Sequence, residues 1–315
     1  MQRSPIARLA LGLLACQGPR PHTLGDLLAP GAHVKKLAGG MGFTEGPVWL
    51  PADGKLVFSD IPAAKLMEWD AEGGLGLFRE SPNPNGNLLD LEGRLLTCRH
   101  GARDLVRTEA DGSLTLLCDR FEGKLFNSPN DVAVRADGTL WFTDPPWGLP
   151  RQREGRELPG NWVFRLDPAS GEVTVVLQDR CMPNGLAFSP DGSVLYVADT
   201  GGHRSHPDPD THDMPRTVSA YALRPDGSLD PEPRWQTELG CDGMCVDTWG
   251  NIYTTSGPGV TVLSPDGEVL GTIEVPESPA NCCFGGEDFQ TLFITARTSL
   301  YFVRMRVAGH RPERS

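Results

Sequence analysis

The 315-residue sequence has no run of 18 apolar residues, which excludes a membrane-spanning helix. It has no long basic cluster, and its formal net charge is −12 at pH 7. Nucleic acid and anionic membrane surfaces are therefore poor partners. No CxxC pair with a matching His or Cys pair occurs, so the pattern of a structural zinc site is missing. Apart from Cys16, seven cysteines stand at positions 98, 118, 181, 241, 245, 282 and 283. Their odd number and lack of a framework point to buried free thiols. No GxSxG nucleophile elbow is present, which leaves a serine-esterase route without support.

What the chain does have is glycine and proline, 37 and 28 of them, spread along the whole length. That favours many short strands and turns over long helices. One phrase recurs, a Gly turn followed by four or five strand-type residues. It reads "ADGKLVFSD" (52–60), "LEGRLLTCR" (91–99), "ADGTLWFTD" (136–144), "PDGSVLYVAD" (190–199), "TWGNIYTTS" (248–256) and, degenerately, "GEDFQTLFITA" (286–296). The turns fall at 54, 93, 138, 192, 250 and about 288, at intervals of 39, 45, 54, 58 and 38. Those intervals suit four-stranded units with loops of variable length. A second strand pair follows each phrase, and six such units predict an all-β, six-bladed β-propeller. The last unit lacks a fourth strand, and "HVKKLAG" (33–39) can supply it and close the ring. Closure removes an open sheet edge.

This divides the chain into a leader over 1–30, a propeller over 31–308 and a tail over 309–315. The leader, "MQRSPIARLALGLLACQG", has Arg3 and Arg8, a short apolar stretch, then Leu13, Leu14, Ala15 and Cys16. It reads either as a bacterial lipoprotein signal or as a plain leader. With a lipidated Cys16 the protein is periplasmic or lipid-anchored; otherwise it is cytoplasmic.

Counting back from each turn exposes a second regularity. Asn85, Asn130, Asn184 and Asp242 each lie eight residues before their turn glycine, Glu45 lies nine before Gly54, and Asn281 seven before Asp288. In a propeller that phase is the start of the innermost strand, beside the central channel. Asn and Asp do begin strands as turn residues, but six in one phase, with Glu45 among them, call for more than turn chemistry. Carboxylates and amide oxygens without His or Cys are hard ligands. Such a set suits one divalent cation, best Ca2+, with Mg2+, Mn2+ or Zn2+ as alternatives. The second strands end on Asp60, His100, Asp144 and Asp199, where a hydrogen-bonding role competes with chemistry. The long loops 145–161 and 200–216 leave from there and are placed to shape a pocket. His203, His206 and His212 lie in a polar, Pro-rich loop and read as solvated.

At "FTEGPVW", "SPNDVAV…DGTLWFTDPPWGL", "MPNGLAFSPDG", "CDGMCVD" and "NCCFGG" the chain resembles the gluconolactonase and senescence marker protein (regucalcin)-like family, in its bacterial branch. The resemblance runs from about residue 33 to about 305. It implies that Glu45, Asn130, Asn184 and Asp242 are metal ligands and that Asp242 is also the general base. Animal relatives carry a substrate-contacting Arg two residues before the Asn130 position. Here that residue is Ser128, and the common bacterial "CEHG" is "CRHG", with Arg99 in place of Glu.

The chemistry expected is hydrolysis of a small-molecule sugar lactone such as gluconolactone. The cation would polarise the carbonyl and Asp242 would assist water, with Asp131 and Asp199 in reserve. Asn85, His100, Asn130, Asp131 and Asp199 are the candidate substrate contacts. The alternatives are a promiscuous esterase or phosphotriesterase of the same fold, or a non-catalytic calcium-binding or protein-interaction propeller.

Overall fold

Each recurrent phrase folds as a hairpin because its turn residue enters the left-handed region, as Gly138 (φ 86°) and Gly250 (φ 85°) do. The degenerate sixth turn has no glycine at that point and puts Phe289 there instead, at φ 53°. The computed structural model describes residues 23–202, 213–224 and 226–313. Cys16 with its leader, and His203, His206 and His212, lie outside the described residues.

Six four-stranded antiparallel sheets form the blades of the propeller. Their inner strands are Thr44–Leu50, Pro84–Leu89, Val132–Val134, Pro183–Phe188, Met244–Val246 and Pro279–Gly285. Inner strands of successive blades pack on one another around the axis and are largely buried. Outer strands alternate instead: in Gly74–Glu80, Leu75 and Leu77 face solvent while their neighbours are half-buried. Blade six takes its fourth strand from the N-terminal side, as expected. Lys35–Gly39 runs antiparallel to Ser299–Arg304, with Lys35 opposite Phe302 and Gly39 opposite Ser299.

The apolar core is divided into six clusters, one in each gap between blades. Leu56, Phe58, Phe293 and Leu300 fill the closing gap between blades six and one. Phe126, Phe142 and Phe164 dominate the gap between blades two and three. The folded body starts ahead of residue 31. A short helix, Leu24–Leu27, lays Leu24, Leu27 and Leu28 on the cluster between blades five and six, and Leu28 bridges to Met305. These leucines are apolar cover for that gap, which is why the leader boundary at 30 does not mark an edge of the structure. At the other end Ala308, Gly309 and His310 pair with Thr248, Phe289 and Val246 under the channel.

Around the axis the backbones leave almost no space. A Cβ on Gly185 would stand 2.5 Å from the Asp242 carbonyl oxygen and 2.8 Å from Gly243 Cα. Gly185→Ala therefore overpacks blades four and five against each other. It is expected to cost about 2 kcal/mol of stability, seen as a lower denaturation midpoint. An unchanged midpoint would mean that the axis can dilate.

Candidate functional site

The polar residues at the channel are aimed by irregular strand starts. The register of the inner strand slips between Glu45 and Val48, between Pro84 and Asn87, and between Pro183 and Leu186. Such a bulge leaves a residue out of the ladder and turns its side chain along the channel. In blades three and five the ladder simply begins later, at Val132 and Met244. Asn130 and Asp242 are then held through their own N–H groups, which donate to Thr143 (2.8 Å) and Thr255 (3.0 Å) carbonyls.

Five of the six expected residues converge. Glu45, Asn85, Asn130, Asn184 and Asp242 line one cavity of about 250 Å3 with Phe43, Ile61, His100, Trp147 and Thr200. Their amides are wired in series. Asn85 Nδ2 donates to Asn130 Oδ1, Asn130 Nδ2 to Asn184 Oδ1 (2.6 Å), and Asn184 Nδ2 to Asp242 Oδ1 (2.7 Å) and Thr200 Oγ1 (3.0 Å). His100 Nε2 lies 3.0 Å from Asn85 Nδ2 and 3.2 Å from Asn130 Oδ1. Burial pushes the His100 imidazole down to about 4, so it stands neutral here.

Blade six departs from the expected phase. The Gly86 N–H meets the Asn130 carbonyl and the Gly185 N–H meets that of Asp242, but the Gly243 N–H meets that of Ala280. Ala280, not Asn281, thus holds the sixth place. The sequence carried the signal: Asn281 is seven residues from its turn where the others are eight or nine. Asn281 occupies the next position along the strand, where four blades have glycine and blade three has Asp131. Those two side chains face each other, Asn281 Nδ2 donating to Asp131 Oδ2 at 3.5 Å. Both line a separate chamber of about 110 Å3, deeper in the channel, that His310 and Pro312 also line. Asp131 is therefore not placed as a contact of the first cavity.

Asp199 is also engaged elsewhere. Its carboxylate accepts the N–H groups of Cys181 (2.9 Å), Met182 (2.8 Å) and Gly201 (2.9 Å), pinning the loop that enters blade four. Asp60 does the same for Gly42 and Phe43, and Asp144 for Asn127 and Ser128. Of the four residues ending second strands, His100 alone lines the cavity. Arg99 turns away into an ion pair with Asp104, its Nε 2.7 Å from Oδ1. Phe43, Ile61, Trp147 and Thr200 went unnoticed in the sequence, because nothing periodic marks them.

Electrostatics distinguish this cavity from an ordinary polar channel. Burial, then the neighbouring Asp242 and Asp131 charges, hold the Glu45 carboxyl well above the usual range. Burial lifts Asp242 and Asp131 to about 7. Among the described residues no lysine or arginine pairs with Glu45 or Asp242. Buried carboxylates without a counter-charge are costly, and the amides of Asn130 and Asn184 share their cavity. That donor set fits a hard cation. Among the described residues no three His, Cys, Asp or Glu side chains gather as a metal cluster, so a cation here would take amides with two carboxylates.

Comparison with known proteins places the chain as follows. The model of a family described as SMP-30/Gluconolactonase/LRE-like region matches residues 43–298. A gluconolactonase from Zymomonas mobilis subsp. mobilis is 33% identical, over 95% of this chain and 88% of that protein. The solved structure of a gluconolactonase from Xanthomonas campestris superposes with a TM-score of 0.77 at 34% identity, covering 90% of this chain and 92% of that one. A calcium-binding regucalcin from Agrobacterium tumefaciens shares the fold, with a TM-score of 0.67 at 22% identity over 88% of this chain and 97% of that one.

The raised carboxyl pKa values set a pH dependence. Without a cation the folded state holds protons on Asp242, Asp131 and Glu45 that the unfolded chain releases near the ordinary carboxylate value. Stability is then greatest at acidic pH and falls as the pH rises through about 7. In EDTA the melting temperature is expected to drop by about 5 °C or more between about pH 5.5 and about pH 8. Excess Ca2+ should recover more of it at the higher pH. A melting temperature that rose over this range in EDTA would contradict the assignment.

Proposed function

The chain belongs to the SMP-30/gluconolactonase/LRE-like family, and from that premise we propose that it opens sugar lactones with the help of a divalent cation held by Glu45, Asn130, Asn184 and Asp242. The observation that carries this reading is the pair of carboxylates, Glu45 and Asp242, which line one cavity with Asn130 and Asn184 and, among the described residues, pair with no lysine or arginine. When bound, such a cation supplies Lewis acidity at the carbonyl oxygen. Ca2+ is the ion we favour, since the set offers oxygen donors and its one nearby imidazole is already engaged with Asn85 and Asn130.

The chain's own groups would then act as follows. Asp242 keeps a partly exposed face to the cavity, and Asn184 fixes its Oδ1. The carboxylate is placed to take the proton of the attacking water. The same proton can return to the ring oxygen as the C–O bond breaks, giving a hydroxy acid. Thr200, by accepting the second Asn184 N–H, holds that amide with its oxygen toward Asn130. Asn85 and His100 lie where substrate hydroxyls would arrive, and the neutral imidazole can donate or accept. A cavity of about 250 Å3 has room for a compact ring.

The test is direct. Hydrolysis of glucono-δ-lactone should fall to the uncatalysed rate in EDTA and return with added Ca2+. Asp242→Asn should lower kcat by about a hundredfold or more. Equal rates in EDTA, in Ca2+ and with the variant would remove the lactone-hydrolase reading.

A further inference from the structure

Five of the seven tryptophans rest against another ring or against core: Trp49, Trp69, Trp141, Trp162 and Trp235 each meet an aromatic neighbour. Trp249 is an exposed turn residue. Trp147 is different. Among the described residues no ring stacks on it, it is only half-buried, and it stands in the wall of the cavity that Glu45 and Asp242 also line.

Its place is fixed by a bracket on the polar side of the loop. Ser128 Oγ donates to the Pro145 carbonyl (2.6 Å) and accepts the Gly148 N–H (2.9 Å), so one hydroxyl spans both sides of Trp147. Ser128 is fully buried, and its own N–H is held by Asp144 (2.7 Å). Gly148 lies so close beneath that a Cβ there would come within 2.6 Å of His100 Cβ and 2.7 Å of Ser128 Cβ. Asn127 ties the two ends of the same loop, donating to the carbonyls of Asp144 (2.9 Å) and Gly160 (3.0 Å). A loop tied at this many points presents a pre-set surface, not a mobile one.

Resting on the lactone-hydrolase reading, we propose that Trp147 is the platform on which the C–H face of a cyclic sugar lactone lies, and that Ser128 is the residue positioning it. The edge and the faces of such a ring differ: hydroxyls project toward the rim while ring C–H bonds form the apolar faces. Asn85 and His100 provide the polar wall, and Trp147, Phe43 and Ile61 provide the apolar one. The Ser128 hydroxyl is spent on the loop and offers the substrate no contact of its own. Preference for a flat, ring-closed polyol thus comes from the aromatic surface of Trp147. An open-chain hydroxy acid, the product, has no flat C–H face and would leave.

Wild type, Trp147→Ala, Trp147→Phe and Ser128→Ala are compared by initial rates on glucono-δ-lactone and by calorimetric titration with Ca2+. Trp147→Ala is expected to raise KM about fivefold or more, with kcat within about threefold and Ca2+ affinity unchanged. Trp147→Phe should recover most of the loss, and Ser128→Ala should move KM in the same direction by less. A KM for Trp147→Ala within about twofold of an active wild type overturns the proposal. So does a joint fall in kcat and Ca2+ affinity, which would mean that the loop merely supports the site. A wild type that hydrolyses no lactone defeats the functional reading in its own arm, and the platform with it.

Discussion

Everything at the channel follows from how closely the inner strands must approach at the axis. Where they cross, the residue after the ring position has room for no side chain in four blades: Gly46, Gly86, Gly185 and Gly243 each lie against the backbone or amide of the next blade. That crowding links the blades through backbone hydrogen bonds, such as Gly185 N–H to Asp242 carbonyl at 2.8 Å. It also leaves the preceding side chains only one direction, along the axis and into the cavity. Residues as far apart as Glu45 and Asp242 are gathered by this packing and by no local preference.

Gathering them has an electrostatic consequence. Two carboxylates enter a desolvated space with a third, Asp131, just behind, and among the described residues none is paired with a lysine or arginine. A structure that needed only rigidity at its axis would be served by apolar or amide groups there. Charges held without compensation are a feature of sites that bind ions or move protons. The bulged strand starts of blades one, two and four support the same reading, since they aim Glu45, Asn85 and Asn184 at a common point at the expense of ladder bonds.

The rim is built on a different principle, anchorage. Asp60, Asp144 and Asp199 satisfy the N–H groups of the loop entering their own blade, and so hold the mouth of the channel in place. Ser128 extends that anchorage outward by one more hydrogen-bonded step, from Asp144 to the loop that carries Trp147. The polar groups inside and the aromatic wall outside therefore sit on a single connected frame. A ligand would meet a formed surface, which reduces the ordering cost of binding.

The repeated turn phrase was enough to count six blades and to assign Lys35–Gly39 to the sixth, because strand alternation and turn chemistry are local and recur. The phase of the polar residues was also legible, and it located Glu45, Asn85, Asn130, Asn184 and Asp242 at one cavity. What the sequence did not reveal depends on contacts between blades. A one-residue difference moved Asn281 to the deeper chamber with Asp131, because successive positions on a strand face opposite ways. Asp199 and its counterparts proved to be anchors, since their partners are backbone N–H groups that no motif records. Trp147 became visible only once its loop was seen folded over the cavity. Sequence determined the array, whose logic is periodic; tertiary packing decided which side chains share a space, because that is set by distances across the ring.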